Sequence, residues 1–195
     1  VDPAEKLARW RAFAEDCTDG YPWDLEDYLV EVSSRSVLHE MITDSRGSGF
    51  AGQREADLLR VVAEIEAIDV SLRPVFGIEA FSRMPKEEWW LRCVPSYAAR
   101  DICREFAETY GVSPAARSKF DVDADAMAKL FTEGALPADI CLKAAGEGWY
   151  VAGQPALMYR ACRRALPVDR AARRLIWAWA NGKASESDLR SGLAG

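Results

Sequence analysis

Apolar residues return every three or four positions along most of this chain, the period of an amphipathic helix. Leu7, Trp10, Phe13, Ala14 and Cys17 stripe the first segment, with Asp2-Pro3 suited to its N-cap and first turn and Gly20 to its end. Tyr21-Pro22-Trp23-Asp24 reads as a turn, after which Leu25, Tyr28, Leu29 and Val32 form a second stripe whose outer face, Glu26, Asp27 and Glu31, is acidic. Around Ser33-Ser34-Arg35-Ser36 the phase changes, because Val37, Leu38 and Met41 point away from Val32 on a straight helix. Serines compete for backbone hydrogen bonds, so a kink or restart is expected here. The break decides the place of His39, the sole histidine: on a continuous helix it shares the face of Tyr28 and Val32, on a restarted one it points outward beside Glu40.

Thr43 to Gly52 is rich in turn formers, with Phe50 as its expected anchor. Leu58, Val61, Val62, Ile65, Ile68 and Leu72 then define what is expected to be the longest helix, with Arg60 and Glu64 paired outside. Between Val70 and Phe81, Pro74 and Gly77 interrupt any helix, leaving a short strand or an ordered apolar loop. Pro85 starts a short helix containing Trp89 and Trp90, and Ser96 is the expected N-cap of one carrying Ala99, Ile102, Cys103, Phe106 and Tyr110 as far as Gly111. Further helices are expected over Asp123–Glu133, Pro137–Ala145 and Ser185–Leu193, with Gly134 and Gly182 turning tight corners. The expected fold is an all-α, single-domain bundle of about eight or nine helices, with room for one short strand or extended segment near residues 70–81.

The stretch Pro155 to Asn181 carries the pattern Arg-x-x-Arg-Arg twice, as Arg160, Arg163, Arg164 and as Arg170, Arg173, Arg174. Each triplet spans about 100° of a helix surface. Met158, Ala161, Cys162 and Ala165 lie opposite the first, and Val168, Ala172, Leu175 and Trp179 opposite the second. Two short helices separated by Pro167, the second capped by Asp169, are therefore expected to bury those apolar positions and to present six arginines outward. Trp177 follows Arg174 and Arg173 by three and four residues, which places it on the charged face.

Charge makes that face stand out. The 195 residues carry a formal charge of -6, yet residues 1–111 hold 13 Lys+Arg against 22 Asp+Glu while residues 112–195 hold 12 against 9. An acidic N-terminal subdomain and a basic C-terminal group of short helices follow. Such a split also fits an acidic half that covers the basic face, in which case Trp177 is architecture. Arginine outnumbers lysine 19 to 6 and alanine reaches 31, a bias expected of a GC-rich bacterial genome. No apolar run approaches the roughly 20 residues of a membrane span and no secretory leader opens the sequence, so a soluble, cytoplasmic protein is expected. The five cysteines are scattered, without Cys-x-x-Cys spacing, and read as small buried hydrophobes with no disulfide scaffold or zinc site.

Other chemistry is weakly signalled. Asp121, Asp123 and Asp125 begin like a calcium loop, but Ala126 and Thr132 occupy the positions of the required glycine and bidentate glutamate, which favours a helix start. Gly134 between two short helices resembles a helix-turn-helix corner, though the second helix offers only Lys143 to a nucleic acid. An offset of 30 residues aligns Ala135-Leu136-Pro137 with Ala165-Leu166-Pro167, Asp139 with Asp169 and Trp149 with Trp179, a faint internal repeat. Catalytic elbows, phosphate loops and dinucleotide fingerprints are absent from the sequence.

The reading that follows is a non-enzymatic interaction or regulatory module that needs no cofactor or metal. It docks an acidic protein partner through Arg160, Arg163, Arg164, Arg170, Arg173, Arg174 and Trp177, since Trp and Arg dominate binding hot spots. Nucleic-acid binding by the same arginines is the alternative. A small-molecule pocket at His39 or at Trp89 and Trp90 is the third reading.

Overall fold

The computed structural model describes residues 2–47 and 53–193. Within them the chain is predominantly helical, as expected, with ten α-helices and two sheets of two short strands each. It divides into two compact units, Val1–Ser118 and Lys119–Gly195, a boundary seven residues beyond the reversal of charge.

The first unit is built on α1 (Pro3–Thr18), α2 (Leu25–Gly47) and α3 (Gln53–Leu72). Asp2 caps α1 by accepting the Ala4 N–H at 2.9 Å, and Leu7, Trp10, Phe13, Ala14 and Cys17 are all buried, as their spacing requires. Phe13 is the hub of an aromatic core, its ring within 5.1 to 5.9 Å of Trp10, Tyr21, Tyr28 and Phe76. Gly20 (φ +85°) lets the chain leave α1 in a left-handed turn pressed against the next layer: a Cβ there would meet the Arg117 carbonyl oxygen at 2.0 Å.

Four expectations about these helices are overturned. The break at Ser33–Ser36 is absent, because α2 runs unbroken through it and on through Thr43–Gly47, where turns were expected. Its buried row continues as Tyr28, Val32, Arg35 and Leu38, so a charged residue holds the apolar phase. This makes α2, with 23 residues, longer than α3, with 20. On α3, Ile65, Ile68 and Leu72 are buried as expected, but Glu64 accepts from Arg11 of α1 at 2.9 Å rather than serving an in-helix pair with Arg60. Phe50 lies outside the described residues.

Beyond α3 the chain makes a 3-10 turn, Arg73–Val75, then the short strand β1 (Ile78–Glu79), inside the region where an extended segment was expected. A further 3-10 turn, Lys86–Glu88, leads into α4 (Trp89–Arg92) and β2 (Cys93–Val94), which pairs antiparallel with β1. Ser96 is not a cap: its Oγ accepts the Gly77 N–H, and β3 (Tyr97–Ala98) follows, parallel to β4 (Ala115–Ala116). Between them α5 (Arg100–Tyr110) buries Ile102 and Phe106 and ends on left-handed Gly111.

The second unit contains α6 (Lys119–Thr132), α7 (Pro137–Gly146), α8 (Pro155–Ala165), α9 (Arg170–Ala180) and α10 (Glu186–Gly192). Gly134 and Gly182 have positive φ at the two expected corners, and Ser185 with Asp188 forms a capping box on α10. Phe120, Met127, Ile140, Cys141, Leu157, Met158, Cys162, Ile176 and Leu189 fill the core. The 30-residue echo has no counterpart in this unit, because Asp139 lies inside α7 whereas Asp169 caps α9 from outside, accepting the Ala172 N–H. Among the described residues no helix is long and apolar enough to cross a membrane.

Candidate functional site

The arginine triplets do not face one way. On α8, Arg160 and Arg164 form one i, i+4 row that leans over the buried ring of Phe120 on α6, with guanidinium carbons 5.8 and 5.6 Å from its centroid. Arg164 is also ion-paired to the buried carboxylate of Asp121. Tyr159 and Arg163 form the adjacent row, turned toward α9, where the Tyr159 ring stands edge-on to Trp177 at 5.9 Å.

On α9 the deepest residue is Ile176, with Ala172, Leu175 and Trp179 only half-buried, so the inward face is turned from the one its spacing suggests. Arg173 is drawn in with it: its Nε is enclosed and lacks a hydrogen-bond partner. Arg170, Arg174 and Trp177 fall within about 60° of arc on the outside. All three are exposed, Trp177 to 41%.

Tyr159 near the start of α8 meets Trp177 near the end of α9, and a four-residue link joins the helices, so they run as a hairpin and Arg163 comes level with the outer residues of α9. The result is a patch of Tyr159, Trp177, Arg163, Arg170 and Arg174. Among the described residues none of these three arginines has a carboxylate within ion-pair distance, whereas Arg164 and Arg190 do. Three cations share a surface with a half-exposed indole, without a counter-ion among the described residues.

The calcium-like aspartates sit on a helix, where residues two apart diverge by about 200° and cannot ring a cation. Asp121 holds Arg164, and Asp123 accepts the Val151 N–H at 3.0 Å, with burial raising its pKa from the usual aspartate value. Cys141 and Cys162 bring their sulfurs to 3.5 Å in the core; the contact between them and burial together push the Cys162 thiol upward, so it is held as an unreactive thiol.

In the first unit, Trp89 and Trp90 diverge as adjacent helical residues must, and both are buried. Trp89 joins the aromatic core through Phe76 at 5.3 Å. Trp90 packs on α2: its indole N–H donates to Ser36 Oγ at 3.1 Å, Arg35 stacks over it at 4.0 Å, and His39 lies 5.5 Å from it between centroids. His39 also lines a cavity of about 140 Å³ together with Arg35 and Glu66. A second arrangement escaped the sequence reading: the buried Tyr21 hydroxyl donates to Glu31 at 2.8 Å, and burial raises the Glu31 carboxyl to about 7, with Asp16 and Asp27 adding repulsion.

A scan against protein-family models finds no match for this chain, and comparisons with curated proteins and with solved structures find none either.

Proposed function

We propose that this protein is an interaction module that docks an acidic segment of a partner protein on the α8–α9 hairpin, with Trp177 as the apolar anchor and Arg163, Arg170 and Arg174 as its charged surround. The observation that carries the reading is that, among the described residues, these three arginines have no counter-ion while flanking an indole that is 41% exposed. Tyr159 supports the indole from one side, which reduces the entropy lost when a ligand seats on it. Rim arginines in water contribute mainly to association rate and orientation, and the aromatic pair supplies the buried area. An acidic peptide is favoured over nucleic acid because phosphate-backbone binding draws on roughly six to ten cationic contacts, and only three of the six arginines are outward and unpaired.

The test is fluorescence anisotropy of a labelled peptide alternating glutamate with leucine and phenylalanine, titrated with the wild type and with an Arg163→Glu, Arg170→Glu, Arg174→Glu variant. Expected is saturable binding by the wild type, reduced at least tenfold in the variant, with the melting temperature unchanged. Equal binding by both proteins, or tighter binding of a duplex or single-stranded oligonucleotide than of the peptide at the same salt, overturns the reading.

A further inference from the structure

The outer face of α2 carries the chemistry that the α8–α9 patch lacks. Opposite the buried row of Tyr28, Val32, Arg35 and Leu38, the side chains of Glu26, Leu29, Val30, Ser33, Glu40 and Asp44 fall within about 100° of helix arc. All six are exposed, and Leu29 and Val30 form an adjacent apolar pair, 47% and 49% open to solvent. The sole Lys or Arg between Leu25 and Asp44 is Arg35, which is buried against Asp69, so the face is acidic throughout. Among the described residues Glu26, Glu40 and Asp44 have no ion-pair partner. Carboxylates on the other long helices of the first unit are met by cations: Glu5 by Arg9, Glu64 by Arg11 and Asp101 by Arg104.

The two surfaces match group for group. One offers Arg163, Arg170 and Arg174 around the Trp177 indole, and the other three carboxylates around two branched aliphatic side chains. Seating Leu29 and Val30 on the indole takes apolar area from water on both sides, while the charges set orientation and speed encounter. The row from Glu26 to Asp44 runs about 27 Å at a rise of roughly 1.5 Å per residue. That is long enough to cross both α8 and α9, since packed helix axes lie about 8–10 Å apart.

We propose that the acidic partner of the α8–α9 patch is a second copy of this chain, docked through the outer face of α2, an assignment that rests on reading the patch as an acid-binding surface. The two surfaces differ, so the contact is heterologous: copies add head to tail unless two of them dock reciprocally and close a dimer. A contact built on one helix face and one hairpin is small, of the weak and reversible class. Its charges are exposed, so salt loosens it.

Sedimentation velocity of the full chain, over a concentration series at low and high salt, tests this. Expected is association of the wild type that grows with concentration and weakens at least tenfold at high salt. The Glu26→Lys, Glu40→Lys, Asp44→Lys variant and the Arg163→Glu, Arg170→Glu, Arg174→Glu variant each set like charge against like and should be monomeric. Mixed together they should associate, because the first retains the basic patch and the second the acidic face. Leu29→Ser, Val30→Ser keeps every charge and should associate at least tenfold more weakly than the wild type. A monomeric wild type at every concentration, undiminished association of any of the three variants, or a mixture that stays monomeric overturns the proposal. The labelled acidic peptide separates the two claims. A wild type that binds the peptide through its arginines yet stays monomeric overturns self-docking and leaves the patch reading in place, whereas one that does neither overturns both.

Discussion

Arg35 grips Asp69 with two nitrogens of one guanidinium, and the two side chains are 9% and 13% exposed, which makes this a buried ion pair joining α2 to α3. Removing one partner of such a pair leaves the other charged and dry, the costly case. Asp69→Asn is therefore expected to lower unfolding stability by about 3 kcal/mol. The Arg35→Met, Asp69→Leu double variant, which has no charge to strand, should lose less than the single one. Urea unfolding of both at neutral pH checks this; a double variant less stable than Asp69→Asn contradicts it.

The division of the first arginine triplet has its own signature. Arg164 is half-buried over Phe120 and holds the enclosed Asp121 carboxylate, whereas its neighbour Arg163 is exposed and unpaired. Arg164→Ala should cost about 2 kcal/mol through the lost contacts and the stranded carboxylate. Arg163→Ala should change stability by less than about 0.5 kcal/mol. Thermal melts of the two variants side by side decide whether the rows are split as described.

Glu31 gives the first unit a pH dependence. Its carboxyl is raised by burial from 4.5 to about 7 despite the Tyr21 hydroxyl that donates to it, so the folded state keeps a proton the unfolded chain has released. Between those two values the native state binds more protons, and stability falls as pH rises, levelling off above about 7. Glu31→Gln removes the penalty while keeping an acceptor for Tyr21. The variant should match the wild type near pH 4 and exceed it by about 1–2 kcal/mol at pH 8. Denaturant midpoints measured across that range check the sign; a wild type that gains on the variant as pH rises contradicts it.

Much of this architecture was legible because helix formation is a local matter. Asp2 before Pro3, the stripe from Leu7 to Cys17, Gly134 and Gly182 at their corners, and Asp169 ahead of Arg170 each state their role within a few residues. The failures have one physical origin. Arg35 sits at i+3 from Val32 and i+7 from Tyr28, the spacing of a buried position, yet the serines around it and the phase of Val37, Leu38 and Met41 read as a break. Only Asp69, on the next helix, makes a charge tolerable there.

Local spacing and tertiary packing decided different features of the arginine surface and of the surroundings of His39. From the residues alone came an all-α chain, two arginine triplets on neighbouring helices, an unusual Trp177 and an isolated His39. Spacing within one helix cannot report where the neighbouring helix packs. That packing turned Arg160 and Arg164 onto Phe120 and left Arg163, Arg170 and Arg174 around Trp177. It also placed His39 beside a cavity walled by α2 and α3, next to an arginine that pairs with Asp69 across the two helices. Local sequence determines helices and their caps through short-range hydrogen bonds and periodicity; which polar groups end up paired, and which stay exposed, is decided by contacts between residues tens of positions apart.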